Sequence, residues 1–371
     1  MRLVRGPRVR RRCRHRLRQA LHRGARLTLH DGGTRTAVVV VNWNRADLTT
    51  RAARAVLDDG TADRVIVVDN GSTDDSVAVL RRALPDATVL ALDTNGGFAA
   101  GANAGVRHSD ADVVVLLNND AEPAPGFVAA LRDHLVAAPA DVAAVTGRIV
   151  LAGRWTRLPA GTAAGSDQRV LRDHDGRLWV PSADGETRLN STGVRLDRDG
   201  NGMDRDWFAP ADRVAAPAVF GFSGGAAALR RAALEDVGPL DESLFMYYED
   251  AELAWRLHRR GWRVEYVADA VVVHDHSASS GVQSELFLFR NARNRLVVAL
   301  WHAPWPTVLR AAARTLARGL RGLTGGSTRR EARLVLAALA DVVRHLPAHL
   351  AHRVRQSRVA SVPRRAVDPG A

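Results

Sequence analysis

The sequence predicts an α/β protein built on a mostly parallel central sheet with helices on both faces. Three observations carry this expectation. Between residues 36 and about 150, β-branched and aliphatic runs alternate with helical segments across short connections, the order of successive crossovers in a parallel sheet. The runs are apolar throughout rather than alternating, as strands buried on both faces require. Four runs in succession end in Asn or Asp, at the carboxyl edge where such sheets collect ligands.

Thr36–Val41 (T-A-V-V-V-V) reads as the first strand, and Asp47–Leu57 follows with helical character. Arg64–Val68 (R-V-I-V-V) is the second strand. It runs into Asp69-Asn70-Gly71-Ser72-Thr73-Asp74, where Asn-Gly turns the chain. Ser72 or Thr73 is suited to cap the helix that continues to about Ala83. Thr88–Leu92 is a third strand, Ala99–Val106 a small-residue helix, and Asp112–Leu117 a fourth strand stopping at Asn118-Asn119-Asp120. The strand ends thus carry Asn42/Asn44, Asp69/Asn70, Asp93/Asn95 and Asn118/Asn119/Asp120. Turn chemistry accounts for some of these residues; four ends in step point to a ligand.

From 151 to 215 the chain is polar and weakly periodic, and reads as loops with a short hairpin inserted on the substrate side. Phe220–Leu229 packs small residues tightly, Leu244–His258 enters a helix, and Trp262–Val267 and Ala270–Val273 read as two strands. Amphipathic helices are expected around 307–322 and 330–349, broken by Gly325-Gly326 and Pro347, with a disordered tail over 357–371.

Charge divides the 371 residues into three regions. The formal net charge is +13, and every basic residue is arginine. Residues 1–30 hold 11 arginines and no acid, and residues 291–371 hold 15 arginines against three acids. The middle, 31–290, carries 27 arginines against 37 acids. An acidic body between basic ends argues against nucleic acid as partner, since a phosphate backbone needs a positive channel. The lone cysteine, Cys13, calls for no oxidising compartment. No run of 18 apolar residues is present, so a spanning helix is not expected. The expected location is cytoplasmic, with the basic ends and amphipathic helices suited to the anionic inner face of the plasma membrane.

Three constellations carry chemistry. The first is Asp69 with Asn118-Asn119-Asp120. A nucleoside-diphosphate ligand in an acidic body needs a counter-charge, most simply a divalent cation such as Mg²⁺ or Mn²⁺, and Asp120 suits as its ligand. Neither G-x-G-x-x-G nor a P-loop lysine follows the first strand, which disfavours a dinucleotide cofactor. The second is Tyr247-Tyr248-Glu249-Asp250-Ala251-Glu252, three carboxylates beside aromatic rings. Apolar surroundings raise a carboxylate's affinity for protons, as suits a general base. The third is V-V-V-H-D-H, which places His274 and His276 on one face of a strand, where a metal at Asp120 would recruit one of them.

V-V-V-N-W-N, V-V-D-N-G-S-T-D, N-G-G-F-A-A-G-A-N-A-G, L-L-N-N-D, G-F-S-G-G-A-A-A-L-R-R, D-E-S-L-F-M-Y-Y-E-D-A-E-L-A-W-R and H-D-H-S-A-S follow one another in this order. Together, over about Thr36 to Asn294, they resemble family 2 glycosyltransferases, in particular the rhamnosyltransferase-like and galactofuranosyltransferase-like branch. The resemblance implies a GT-A fold and inverting transfer of a sugar from a nucleotide-diphosphate sugar. It implies that Asp69 contacts the base or ribose. Asn118-Asn119-Asp120 matches the D-x-D motif, with Asp120 on the metal and Asn118 departing from its first acid, so that Asn118 offers ribose a neutral hydrogen bond. Asp250 matches the catalytic base, with Glu249 beside it, and His274 completes the metal shell. Asn42, Asn44, Asn95 and Asn119 are expected on the donor. Residues 1–35 are then a basic extension without regular structure. Residues 36–295 form the transferase domain, with a nucleotide-binding half over 36–150 and an acceptor and catalytic half over 151–295. Residues 296–356 are an amphipathic helical segment.

The expected acceptor is a hydroxyl of a cell-surface glycan or lipid-linked saccharide. Arg290-Asn291-Ala292-Arg293-Asn294-Arg295 resembles a further family block, whose arginines suit an acceptor phosphate or lipid. A nucleotidyltransferase is the alternative enzyme, but it needs a Gly-rich basic loop that Asn42-Trp43-Asn44-Arg45 does not supply. A non-catalytic carbohydrate- or membrane-binding scaffold would keep the fold without Asp120 and Asp250.

Overall fold

The computed structural model describes residues 33–162, 169–197, 199–275, 284–324 and 329–367. Most of the expected basic extension, and His276, lie outside them. β1 (Thr36–Asn42), α1 (Ala46–Asp59), β2 (Arg64–Asp69), α2 (Ser76–Ala83), β3 (Thr88–Ala91), α3 (Gly97–His108) and β4 (Val113–Asn118) alternate as the periodicity predicts. β1 pairs in parallel with β2 and β4, and β2 with β3. Asn42 lies opposite Asp69, and Val41 opposite Asn118, so the polar strand ends meet at one edge.

β5 (Ala121–Pro123), α4 (Phe127–Ala137) and β6 (Val142–Leu151) follow. β6 does not join β4. Between them lies β14 (Ala226–Arg230), antiparallel to both. α5 (Arg231–Val237), a 3-10 turn (Glu242–Leu244), α6 (Glu249–Arg260) and β15 (Arg263–His274) complete the domain, with β15 parallel to β6. The two strands expected at 262–273 are one, with an irregular register between Val267 and Val271. Ala270 is fully buried beside that irregularity, so the chain re-enters the sheet instead of turning away.

The polar insertion holds more structure than a hairpin. β7 (Trp155–Arg157), β8 (Leu171–Arg172) and β9 (Leu178–Pro181) form a small sheet closed over Trp155, Trp179 and Phe208. β10 (Leu189–Ser191) extends the main sheet beside β6, β11 (Val194–Leu196) pairs with β12 (Gly202–Asp204), and β13 (Ala218–Val219) pairs with β15. Short strands joined by long-range pairing leave no periodicity to read.

Two apolar layers sandwich the sheet. One packs Ala52, Val56, Leu80, Phe127 and Leu131 on Val38, Val40 and Val115; the other packs Ala99, Ala102, Leu253 and Leu257 on Val39, Ile66 and Val114. Four helices follow: α7 (Glu285–His302), α8 (Trp305–Thr324), α9 (Arg329–Arg344) and α10 (Leu346–Val359). The boundary expected at residue 295 falls inside α7, whose buried Leu296, Val297 and Leu300 join Trp255 of α6 in a third core. Pro347 opens α10 rather than ending a helix, because a first-turn N–H needs no helical partner. The disordered tail expected from 357 is likewise corrected. α10 continues to Val359, a 3-10 turn spans Arg364–Ala366, and Val367 is buried against the third core.

A buried ion network ties α6 to α7. Arg256 Nε donates to both oxygens of fully buried Glu252 (3.0 and 2.9 Å), while its Nη1 and Nη2 donate to the carbonyls of Val237 and Pro239 at 2.7 Å. His302 Nε2 lies 2.9 Å from Glu252 Oε1. Against the cost of burial, Arg256 and His302 hold Glu252 down at about 2. The third acid of the E-D-A-E segment therefore serves the fold and not the site. Glu252→Ala leaves Arg256 buried without its counter-ion, and is expected to cost about 3–5 kcal/mol in urea denaturation.

Candidate active site

At the carboxyl edge of the parallel strands lies a cavity of about 860 Å³. Its walls come from the ends of β1, β2 and β4, the loop before β14, the start of α6, the end of β15 and the first turns of α7.

The strand-end amides brace one another. Asn42 Nδ2 donates to Asp69 Oδ2 (2.7 Å), and Thr49 Oγ1 donates to Asn42 Oδ1 (2.6 Å) and accepts from Asn119 Nδ2 (3.3 Å). Asn70 Nδ2 donates to Asn95 Oδ1 (3.0 Å) and to the Gly97 carbonyl (2.9 Å). Asn42, Asn95, Asn118 and Asn119 line the cavity, as expected, and so does Asn70.

Two expected donor ligands do not reach it. Asp69 is buried and fully engaged, accepting from Asn42, from Ser72 N (2.9 Å) and from Ser72 Oγ (2.6 Å). Asn44, with φ of 52°, accepts the Thr73 N–H (2.8 Å) and so joins two loops. Ser72 thus serves Asp69 rather than capping α2, where Asp74 accepts the Ser76 N–H instead (3.0 Å).

At the opposite wall, His274 Nε2 lies 3.0 Å from Asp120 Oδ1, while its Nδ1 lies 2.7 Å from Asn190 Oδ1. β15 pairs with β5 here, bringing His274 opposite Ala121. An oxygen anchoring one ring nitrogen while the other lies beside a carboxylate is the usual support of a metal-binding histidine. Asp204, from β12, lines the same wall. Burial, with the Asp250 carboxylate adding to it, pushes Asp204 up to about 6. Asp204 and Asn190 are absent from the sequence expectations, because both sit in the polar insertion without a motif.

Asp250 and Glu249 open α6. Asp250 Oδ1 accepts the Ala251 N–H (2.7 Å) and Oδ2 the Gly224 N–H (3.2 Å). Burial raises Asp250 despite these donors. Glu249 is 7% exposed and its Oε2 has no hydrogen-bond partner. Burial, then the neighbouring Asp250 charge, push Glu249 up to about 8. Two adjacent buried carboxylates resist carrying two negative charges together.

The turn before them is strained. Phe245, Tyr247 and Tyr248 all have left-handed φ (66°, 68° and 73°), rare for bulky side chains. Fully buried Asn294 of α7 holds it, Nδ2 donating to the carbonyls of Leu244 (2.8 Å), Met246 (2.9 Å) and Tyr247 (2.9 Å). Gly97 completes the clamp: a Cβ there would lie 2.1 Å from the Phe245 carbonyl oxygen. In the Arg290–Arg295 block Asn291 lines the cavity and Asn294 holds the turn, while Arg293 pairs with Asp341 (2.8 Å) and Arg295 with Thr315 (2.6 Å).

The family model for glycosyl transferase family 2 matches residues 37–238. The chain belongs to glycosyl transferase family 2. A second model, glycosyl transferase family group 2, matches residues 199–320. This family 2 glycosyltransferase is 28% identical over 229 residues to N-acetylglucosaminyl-diphospho-decaprenol L-rhamnosyltransferase of Mycobacterium tuberculosis, covering 57% of this chain and 66% of that one. It is 29% identical over 253 residues to the pre-mycofactocin glycosyltransferase of the same species, covering 65% and 42%. The chain thus spans just under two thirds of the first relative's length and about two fifths of the second's. Among solved structures, GalNAc-T7 with UDP, GalNAc and Mn²⁺ superposes with a TM-score of 0.53 at 13% identity, covering 94% of this chain and 67% of that one. The glycosyltransferase has the GT-A fold that its sequence blocks implied, including the additional C-terminal helices.

Glu249 gives a test of the site's electrostatics. A carboxyl raised from 4.5 to about 8 costs no stability below its unfolded value, then progressively more as pH rises toward 8. Glu249→Gln is therefore expected to stabilise the metal-free protein at pH 8 by on the order of 1–3 kcal/mol and hardly at all at pH 4. Thermal unfolding of both forms across that range measures it; a pH-independent difference contradicts the assignment.

Proposed function

We propose that this glycosyltransferase moves a sugar, with inversion, from a nucleotide-diphosphate sugar to a hydroxyl of a cell-surface glycan or lipid-linked acceptor. One observation carries the reading: a single cavity presents strand-end amides on one side, Asp120 with His274 on another, and Asp250 on a third. The M. tuberculosis rhamnosyltransferase acts, by its name, on a diphospho-decaprenol-linked saccharide, which favours a lipid-linked acceptor and a deoxysugar donor such as dTDP-rhamnose, with a UDP-sugar as the alternative.

Asn42, Asn70, Asn95 and Asn118 supply neutral hydrogen bonds for base and ribose, and Asp69 orients Asn42 from behind. Asp120 and His274, with Asp204 adjoining, are the oxygen and nitrogen donors that would hold Mg²⁺ or Mn²⁺, and such a cation neutralises charge on a departing diphosphate. Asp250 accepts the proton of the acceptor hydroxyl. As that oxygen bonds to the anomeric carbon, the bond from that carbon to the diphosphate oxygen breaks on the opposite face. Burial makes Asp250 a stronger base than an exposed aspartate. The Gly224 and Ala251 N–H groups fix the direction of its lone pairs.

We also place the enzyme peripherally on the inner face of the plasma membrane. No single described helix is long and apolar enough to cross a membrane. α8 instead leaves Trp305, Leu309, Leu316, Leu320 and Leu323 exposed along one face, among Arg310, Arg314, Arg318 and Arg321. That pattern suits an anionic interface.

Asp250→Asn is expected to lower the transfer rate by about 10²–10⁴-fold while donor binding by calorimetry stays nearly unchanged. Retained turnover would sink the assignment. Asp120→Ala is expected to weaken both donor affinity and the response to Mn²⁺, read as the loss of metal-dependent thermal stabilisation by UDP or dTDP. Wild-type stabilisation by either nucleotide in that variant would exclude Asp120 from the cation.

A further inference from the structure

At the far end of α6, about 14 Å along the helix from Asp250, a second hollow of about 460 Å³ opens between α6 and the chain that follows α10. Arg259, Ser357, Arg364 and Arg365 line it. Arg259 is only 4% exposed, yet its Nε and Nη1 have no hydrogen-bond partner, and neither does the buried Nε of Arg364. Among the described residues none of Arg259, Arg353, Arg364 and Arg365 forms an ion pair with a carboxylate.

The hollow is held in shape by bonds around these guanidinium groups. Ser361 and Val362 donate their N–H groups to the Arg259 carbonyl (2.9 and 2.8 Å), which fixes the chain over α6. Arg353 Nη1 donates to the carbonyls of Leu300 (2.6 Å) and Ala303 (2.9 Å). Arg364 spends Nη1 on Ser357 Oγ (2.8 Å) and Nη2 on the Trp301 and Arg353 carbonyls (3.0 and 3.1 Å). Buried charge is ordinarily paired with its opposite, and here like charges are packed together. Burial first, then repulsion from Arg364 and Arg353, bring Arg259 down to about 10.

We propose that this hollow is an anion site for a phosphate group, held by Arg259 from within and by Arg364 and Arg365 at the rim. A guanidinium fork matches the tetrahedral oxygens of phosphate, and a bound dianion would meet the charge left unpaired among the described residues. The phosphate has two possible sources, a lipid headgroup or a free phosphate. The site neighbours the exposed apolar face of α8, since Arg353 stacks over Trp305 at 4.3 Å from its ring centre.

The test uses the full chain and inorganic phosphate, titrated by calorimetry against chloride at equal ionic strength. Saturable binding is expected in the wild type. Arg259→Gln should weaken it by roughly tenfold or more. Arg365→Ala, at an exposed position that supports no packing, should weaken it several-fold without altering the fold. Absence of saturable binding, or equal affinity in wild type, Arg259→Gln and Arg365→Ala, overturns the site. A second arm sediments the protein with phosphatidylcholine vesicles containing phosphatidic acid. Vesicle binding that free phosphate competes away, and that Arg365→Ala weakens, assigns the site to a headgroup. Binding of free phosphate alone assigns it to a soluble anion.

Discussion

Everything at the catalytic end of this glycosyltransferase depends on Asn294 holding the turn that precedes α6. Three bulky residues with left-handed φ cost of order 1–3 kcal/mol each, and the turn's own bonds, Phe245 N–H to Glu242 and Met246 N–H to Leu244, leave carbonyls for a further partner. One buried amide from a distant helix is that partner, binding three carbonyls of that turn at once. The direction in which α6 leaves the turn then decides where Asp250 and Glu249 point. α7 is both a wall of the cavity and the anchor of the turn that carries Glu249 and Asp250. The first C-terminal helix is therefore part of the cavity wall, bound to α6 a second time by the Glu252–Arg256–His302 network.

The two sides of the cavity solve opposite problems. The side with the strand-end amides has few charges, and Asn42, Asn70, Asn95 and Asn119 are braced by Asp69, Ser72, Thr49 and the Asn70–Asn95 bond. The catalytic side concentrates Asp120, Asp204, Glu249 and Asp250 with few compensating cations among the described residues. Burial and mutual repulsion raise three of these four carboxyls, which suits a site that awaits positive charge and an incoming proton.

Much of this was legible in the chain. T-A-V-V-V-V, R-V-I-V-V and D-V-V-V-L-L announced buried strands because parallel strands covered on both faces have no polar side. Asp120, His274, Glu249 and Asp250 were legible because they stand at element ends beside strongly patterned runs. Asp69 stands behind Asn42: a strand-end acid looks alike in sequence whether it faces a cavity or a neighbouring asparagine, and only the register with Asn42 shows the bond between them. Asp204 and Asn190 were invisible because two- and three-residue strands carry no period. The segment after 357 looked disordered, yet Arg364 donates to the Trp301 carbonyl of α7 while Val362 and Val367 pack on the third core.

The position of β14 has a consequence for assembly. The parallel block of β1 to β4 and the pair of β6 with β15 touch only through this one strand, which arrives more than a hundred residues after β4. During synthesis the donor side can form from local βα units, whereas the sheet stays split until residues 226–230 emerge. Closing it requires contacts of large sequence separation, the slow kind in folding. The strand-end amides on one wall of the cavity are thus in place well before Asp250 on another wall has been made.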